Sequence, residues 1–555
     1  MATSFEPLLS SPHKKSSSSK VALYTFLCLV AVVSSAALLS KWIITTNSSS
    51  PSSTFHARVC NGAHDPTSCM AILSEVSSSA PTESNGVDLL QMLLHSSLRR
   101  TREAMDVLTN VNGRVNGLKV KSGLNTCMLL MDLSVDWITD SMVALGDPSA
   151  NARSDAHTYL SSVLTNHDTC LDGLDGPARS TLEPILNDLI ARARSSLALF
   201  VAVVPPASLQ DDLRPLNGKF PSWVRPKERK LLESRVNAAV ASDVVVAADG
   251  SGDYKTVTEA VNAAPDSGTA RYVIYVKKGT YAEKVSIGKL KTNLMLVGDG
   301  MDATIITGSA SVDDGKATSE TATVAALGAG FMAQDICFQN TAAPPKEQAV
   351  AIMVGSDQSV FNRVKIDGYQ DSLYAYAGRQ FYQACSITGT VDFIFGNGAA
   401  VFQNSQILAR LPAHGQPTCI SAQGRLDPNQ NTGLSFQNCK VIPGPDLEPV
   451  KAENKKTMLG RPWKLYSRTM YMQSYLDDHI DPLGWEPFSG TAGLDTCDYA
   501  EYMNTGPGAG TSLRVQWKGY HAITNAADAQ PFTVDQLLQG DSWLKASGVS
   551  YTLGL

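Results

Sequence analysis

Gln348 to Gly398 reads QAVAIMVGSDQSVFNRVKIDGYQDSLYAYAGRQFYQACSITGTVDFIFGNG, and three polar residues stand in it at equal spacing. The interval from Gln348 to Gln370 is repeated from Gln370 to Asp392, and Asp371 follows Gln370 directly. The sequence around them is apolar and β-rich. Equal spacing of polar residues in such sequence indicates stacked coils of a parallel solenoid. Residues one coil apart then sit about 4.8 Å from each other, the distance between neighbouring strands. On that reading Gln370 stacks beneath Asp392, and two amides and two carboxylates meet on one face.

A second repeat gives a similar period. An aromatic followed by a polar residue recurs as Phe338-Gln339, Phe361-Asn362, Tyr382-Gln383, Phe402-Gln403 and Phe436-Gln437. The steps are nearly equal except the last, whose extra length leaves room for a loop that departs from the coil. An aliphatic residue follows at a fixed offset, as Ile366, Ile387, Ile407 and Val441. Each unit cannot bury its apolar face alone, so it needs a rung above and below. An all-β sandwich has strands of similar spacing, but the explicit period favours the solenoid. The third position after Tyr382, Phe402 and Phe436 holds Cys385, Ser405 and Cys439. Cys385 and Ser405 should then lie on adjacent coils about 5 Å apart, within disulfide reach. Ser405→Cys is expected to close a bridge with Cys385.

The chain has 555 residues, more than the usual 100–200 or so of one domain. Its net charge is −6, and no basic block with interleaved aromatics is present, so no nucleic-acid partner is expected. Val21 to Leu39 is apolar and uncharged, just long enough to span a membrane as a helix. Lys14, Lys15 and Lys20 precede it, which keeps the N-terminus cytosolic. Residues 1–20 read as a cytosolic tail and 21–43 as a signal anchor. The alternative is a cleaved signal peptide with Ser34-Ser35-Ala36 as its processing site. Both deliver the remainder to the secretory lumen. Residues 44–56 are a Ser-rich linker carrying the only N-glycosylation sequon, at Asn47.

Residues 57–205 change character. Apolar residues fall at helical spacing, as in Leu89, Leu90, Leu93 and Leu94, or Leu129, Leu130, Leu133 and Val135. Ile185, Leu186, Leu189 and Ile190 form a third such run. An up-and-down four-helix bundle follows. Its four cysteines, Cys60, Cys69, Cys127 and Cys170, imply two disulfides with three possible connectivities. The bundle holds no cluster of catalytic residue types, which suits a structural or binding module. Pro205-Pro206 ends it, and residues 206–237 form a linker rich in proline and charge. There the dibasic Arg229-Lys230, followed by Leu231-Leu232, offers a processing protease an exposed site.

Residues 238–555 carry the β pattern, with Phe532 to Leu544 expected as a helix capping an open solenoid end. Two adjacent acids divide acid and base work when their environments split their pKa values. Asp371 and Asp392 suit that division, one ionised as nucleophile and one protonated as acid. Gln348 and Gln370 carry amide donors for an oxyanion. Neither a Ser or Cys nucleophile, nor a His, nor a metal-ligand cluster belongs to this set, so no cofactor is expected. Downstream, LGRPW supplies Arg461 to orient a carboxylate and Trp463 to stack on a sugar ring. The competing roles are a glutamine ladder and an aspartate turn. The joint spacing of the four favours chemistry.

These residues resemble the plant pectin methylesterases. The matching stretches are GYQDSLY, RQFY, GTVDFIFGN, QAVA, ISAQGRLDPNQNTG and LGRPW. CNGAHDPTSC, LNTCMLLMDLSVD and LSSVLTNHDTCLDG resemble the family's inhibitor-like pro-region. The resemblance covers roughly residues 57–553. It implies a right-handed parallel β-helix behind an all-α pro-domain, and delivery to the cell wall after cleavage at the basic-Leu-Leu motif. Its substrate would be methyl-esterified homogalacturonan, and separate pectinesterase inhibitor proteins are further partners. By motif, Asp392 is the nucleophile and Asp371 the acid, then base. Gln348 and Gln370 bind substrate or form the oxyanion hole, Arg461 orients Asp392, Trp463 holds the polymer, and Thr318 binds substrate.

The chain departs from the family's pattern in three places. Ser405 stands where the family has a cysteine paired with the equivalent of Cys385, SLYAYAG replaces TLYVHS, and TATV at Thr321 to Val324 replaces SATF. Other functions compatible with the fold are a galacturonan hydrolase or lyase, and a non-catalytic binding or inhibitor protein. A glycosidase also uses paired carboxylates but cuts the glycosidic bond.

Overall fold

The computed structural model describes residues 51–78, 85–204, 242–453 and 457–555. The expected tail, anchor, Asn47 sequon and Arg229–Leu232 motif lie outside them. Among the described residues no helix is long and apolar enough to cross a membrane.

Six helices come first: α1 Pro51–Cys60, α2 Pro66–Ser77, α3 Gly86–Asn112, α4 Leu118–Leu145, α5 Ala150–Asp172 and α6 Gly176–Val203. The first begins inside the stretch read as linker, with Pro51 in its first turn, where a missing N–H costs nothing. Asn85 caps α3 through a capping box with Asp88. Helix α4 packs on α3 and α5, and α6 packs on α5 and α3, closing a four-helix bundle. Leu90, Leu93, Leu130, Leu164, Leu186 and Leu189 are buried in it. Leu129 is not, at 42 % exposed, because the inward stripe of α4 runs through Cys127, Leu130, Met131 and Ser134. The cysteines pair as neighbours in sequence, Cys60 with Cys69 and Cys127 with Cys170. The second bond ties α4 to α5.

The remainder is a right-handed parallel β-helix. Its strands fall into three sheets of 11, 7 and 8 members, and through the middle of the stack each sheet takes every third strand. All pairings are parallel. In the 11-stranded sheet Phe361, Tyr382, Phe402, Phe436 and Tyr471 are in register. Their rings stack at 4.4–4.8 Å with interplanar angles of 8–16°. Ile366, Ile387, Ile407 and Val441 align likewise in the 8-stranded sheet. The polar partners form an external ladder: Gln403 donates to Gln437, and Gln437 to Gln473.

Phe338 does not belong to this stack. It pairs with Ile366 in the 8-stranded sheet, and Ala333 fills the rung below Phe361. Spacing along the chain does not say which of three sheets a residue enters.

Seven successive coils turn from the first sheet to the third through one left-handed residue. These are Asp335, Arg363, Ala384, Asn404, Asn438, Gln473 and Met503, each directly after its strand. A single αL residue bends the strand sharply. Asparagine tolerates that conformation best among residues with a side chain.

Cys385, Ser405 and Cys439 occupy successive rungs, as expected, because Ser386, Gln406 and Lys440 are in register. The Cys385 N–H donates to Ser405 Oγ at 3.0 Å. The thiols, however, point the same way along the axis: Cys385 Sγ toward Phe361 O and Cys439 Sγ toward Phe402 O. Cys439 therefore leans toward the Ser405 coil and Cys385 leans away from it. Ser405→Cys should link to Cys439 rather than Cys385, adding about 3–4 kcal/mol for a loop of this size when unstrained. Non-reducing peptide mapping decides. A 385–405 peptide would contradict the thiol orientations, and neither peptide would contradict the register.

The C-terminal segment is helical, but in short pieces: α7 Val534–Leu538 and α8 Leu544–Ser547. They do not cap an end. Val534, Leu537, Leu538, Trp543 and Leu544 cover the outer face of the 11-stranded sheet at Met332, Val360, Phe381 and Val401. Those strand positions are apolar on both faces, and the outer one requires a cover. Near the C-terminal strands a buried ion pair stands instead. Arg514 grips Glu501 at 2.8 and 3.1 Å, and the Trp485 and Tyr520 side chains donate to the same carboxylate. The three apolar clusters of the β-helix contain no residue before Val244. These clusters are thus packed by residues 244–555 alone.

Candidate active site

The sequence-predicted residues converge on one cleft of about 270 Å³ on the flank of the 7-stranded sheet. Thr318, Gln348, Gln370, Asp371, Asp392, Arg461 and Trp463 all line it. Their placement follows from the coils. Gln370 and Asp371 immediately precede the strand Leu373–Ala375, Asp392 precedes Ile394–Gly396, and Arg461 follows Thr457–Gly460. Leu373 pairs with Ile394, and the Asp371 N–H donates to Val391 O at 3.1 Å. Asp371 therefore lies against Asp392. The coil here is one position shorter than the glutamine spacing implied, so Gln370 is displaced by one place from beneath Asp392. Both aspartates are left-handed, with φ of 64° and 51°. Strained backbone of this kind is found where geometry matters.

The two carboxyls differ in their partners. Asp392 is gripped bidentately by Arg461, Nε to Oδ1 at 2.8 Å and Nη2 to Oδ2 at 2.7 Å. Among the described residues no cation pairs with Asp371, which feels Arg461 only at a distance. Burial pushes both carboxyls up, and Arg461 holds Asp392 back. Asp371 is driven well above the carboxylate range by burial and then by the charge of Asp392. Arg461 thus favours the ionised form of Asp392 more than that of Asp371, the direction of split that a nucleophile and a general acid require. Gln348 Oε1 is buried without a hydrogen-bond partner. A ladder glutamine would be satisfied on both sides, as Gln437 is.

The aromatic wall is larger than the motifs alone indicate. Trp463 stands over Gly424, where an added Cβ would come within 2.8 Å of the indole. Phe395 meets its edge at 6.0 Å and stacks on Tyr374 at 4.2 Å. Phe488 lies 4.8 Å from the Arg461 guanidinium. Tyr374 and Phe395 are direct partners on adjacent coils, so the coil period could have found them. Phe488 has no such signal.

The bundle contributes to the same cleft. Thr126 of α4, Thr169 and Asp172 of α5, and Gly173 line it beside Asp371 and Asp392. Helix α5 continues along the β-helix surface. Asp155 pairs with Arg379 at 2.5 Å, Thr165 accepts from Asn397 at 2.9 Å, and Asn166 accepts from Tyr376 at 2.5 Å. At the cleft, Lys464 pairs with Asp168 and Asp172.

The family model "Pectinesterase" matches residues 243–541, and "Plant invertase/pectin methylesterase inhibitor" matches residues 54–199. The chain belongs to the pectinesterase family, with an inhibitor-family domain before the enzyme domain. It is similar to pectinesterase/pectinesterase inhibitor 18 of Arabidopsis thaliana, 50 % identical over 99 % of both chains. It is also 50 % identical to pectinesterase 3 of Solanum lycopersicum, over 90 % of this chain and 91 % of that one. Among solved structures, the pectin methylesterase from carrot is 55 % identical with a TM-score of 0.57, covering 57 % of this chain and 100 % of its own.

Proposed function

We propose that the β-helix hydrolyses methyl esters of homogalacturonan to pectate and methanol, and that the bundle keeps it silent until the two separate. The observation that carries the chemistry is the bidentate grip of Arg461 on Asp392, beside a buried Asp371 that the guanidinium does not grip. Asp392 attacks the ester carbonyl, and the Gln348 and Gln370 amides hold the oxyanion. Asp371 gives its proton to the departing methoxide, leaving an acyl-enzyme anhydride and free methanol. Asp371, now a base, takes a proton from water. The hydroxide formed opens the anhydride and restores both aspartates. Trp463 and Thr318 hold the polymer.

Thr126, Thr169, Asp172 and Gly173 of the bundle line the same cleft as Asp392, where a polymer would have to lie. Separation by a protease at Arg229-Lys230-Leu231-Leu232, inside the secretory route begun by the 21–43 segment, completes this reading. The mature enzyme then works in the cell wall. The test is methanol release from methylated pectin by residues 242–555, with the polymer's chain length unchanged.

The acid pair sets the pH dependence. Turnover needs Asp392 ionised, so the rate rises with pH as it loses its proton. Turnover also needs Asp371 protonated, so the rate falls as pH climbs through its raised pKa. A bell-shaped profile of kcat/KM is expected. A rate that does not change from acid to alkaline pH would contradict these roles.

A further inference from the structure

Cys419 stands against the proposed nucleophile, and nothing in the proposed chemistry uses it. It lies one coil on from Asp392, in the strand Thr418–Gln423 of the 7-stranded sheet. The Cys419 N–H donates to Thr390 O at 3.0 Å, and the Phe393 N–H donates to Cys419 O at 3.4 Å. In a regular parallel ladder one residue sits between two such partners. Here two do, Val391 and Asp392, so Cys419 faces a bulge whose second residue is the left-handed Asp392. Bulges re-aim side chains beside active sites. Regular pairing resumes where Ile394 meets Ser421. Arg461 comes from the coil beyond Cys419 and reaches over it to grip Asp392. Cys419 is thus the support that the adjacent coil itself offers.

The thiol is fully buried, and it hydrogen-bonds the Asp392 carboxylate. Burial pushes the thiol well above its usual range, so the proton stays on sulfur and the thiol is the donor. Its other acceptor is Ser421 O at 3.6 Å, which already accepts from the Arg461 N–H at 2.9 Å. A carboxylate is the stronger acceptor of the two. The other charged and titratable groups around Asp392 are Arg461, Asp371 on the preceding coil, and Glu486, which stands 3.7 Å from Arg461. Asp172 of α5 lines the cleft as well. We propose that Cys419 is a positioning residue for Asp392, its thiol donating to the carboxylate from the adjacent coil and favouring the anion within the bulge. This rests on the esterase reading and deepens it. A thiol is a weak donor, so it steadies the carboxylate with little loss of nucleophilicity. The same bond strengthens when the anhydride opens and Asp392 departs as a carboxylate.

Full-length chains are compared, so that the bundle's hold on the cleft is common to all. Without the donor, Asp392 keeps its proton to higher pH. Cys419→Ala should therefore move the acid limb of kcat/KM for methanol release up by about half a pH unit, a loss of about threefold on that limb. Cys419→Ser keeps a donor and should return the limb to the parent's position. Cys419→Val, which fills the space without a donor, takes the place of the alanine variant should that one not fold. Cys439→Ala, which removes a buried thiol from another rung, should leave the limb where it is. Equal shifts in the alanine and serine variants, or a shift in neither, would overturn the proposal and leave Cys419 as packing. The infrared S–H stretch gives a readout without turnover. The band missing from Cys419→Ser belongs to Cys419, and Asp392→Asn should shift it toward a weaker hydrogen bond. An unmoved band would also overturn the proposal. A parent that releases no methanol would sink the esterase reading instead, and the band would still decide whether the thiol is joined to Asp392.

Discussion

Asp392→Asn is expected to lower methanol release by about 10⁴-fold or more, the usual cost of removing a covalent nucleophile. An amide presents no anionic oxygen to the ester carbonyl, and nothing else in the cleft replaces it. The change also strips Arg461 of its bidentate partner, leaving a largely buried guanidinium with only Glu486 at 3.7 Å. Removing one member of a buried pair is costly, so the variant should also melt earlier. Asp371→Asn provides the contrast. It should silence turnover equally, since an amide neither donates nor accepts the required proton. Its effect on stability should differ, because no guanidinium loses its bidentate partner. The folded state raises the pKa of Asp371, so folding favours the proton. Stability contributed by the protonated form is lost as pH rises from the unfolded carboxyl range through the folded pKa. An uncharged asparagine avoids that loss, and the variant should be at least as stable as the parent at neutral pH. Retention of a tenth of the activity by Asp392→Asn would end the covalent mechanism. Equal destabilisation by both changes would mean that the two acids share one environment.

The sequence carried the coil period plainly, because a solenoid must repeat its buried residues. Phe361, Tyr382, Phe402 and Phe436 are in register where the repeat placed them. What the repeat could not carry is the register of every element, since turns between strands vary in length. That is why Phe338 falls into another sheet, and why Asp371 rather than Gln370 opposes Asp392. The C-terminal helical signal was legible too, but amphipathicity identifies a face and not the surface it covers. Trp543 and Leu544 found the outer face of the 11-stranded sheet.

The cover over the cleft was the least legible feature, and the reason is chemical. Its contacts are made by Asp155, Thr158, Ser161, Thr165, Thr169 and Asp172, a polar stripe at helical spacing on α5. A polar stripe reads as a solvated face unless the partner is known.

That polarity governs the second large effect. The full chain should release methanol at least about 100-fold more slowly than residues 242–555. Tethering gives the bundle an effective concentration on the order of 1 mM. An intrinsic dissociation constant of about 10 µM would then leave about one molecule in a hundred open. Such an affinity is modest for a helix face held by ion pairs and hydrogen bonds. The same bonds make the closure sensitive to charge. Asp155→Lys places a second cation against Arg379, which Asp357 already holds at 2.5 Å from the other side. Asp155 lies outside the cleft, so this change alters docking and not catalysis. The full-length variant should gain activity toward that of the isolated β-helix, and raised salt should enhance the parent's activity in the same direction, because exposed ends of these pairs are screened. Rates are compared at equal enzyme concentration on one methylated pectin. A full-length chain as active as residues 242–555 would show that the bundle does not close the cleft in solution. A closed parent unaffected by Asp155→Lys would instead place the holding energy at the other end of α5, in Lys464 with Asp168 and Asp172.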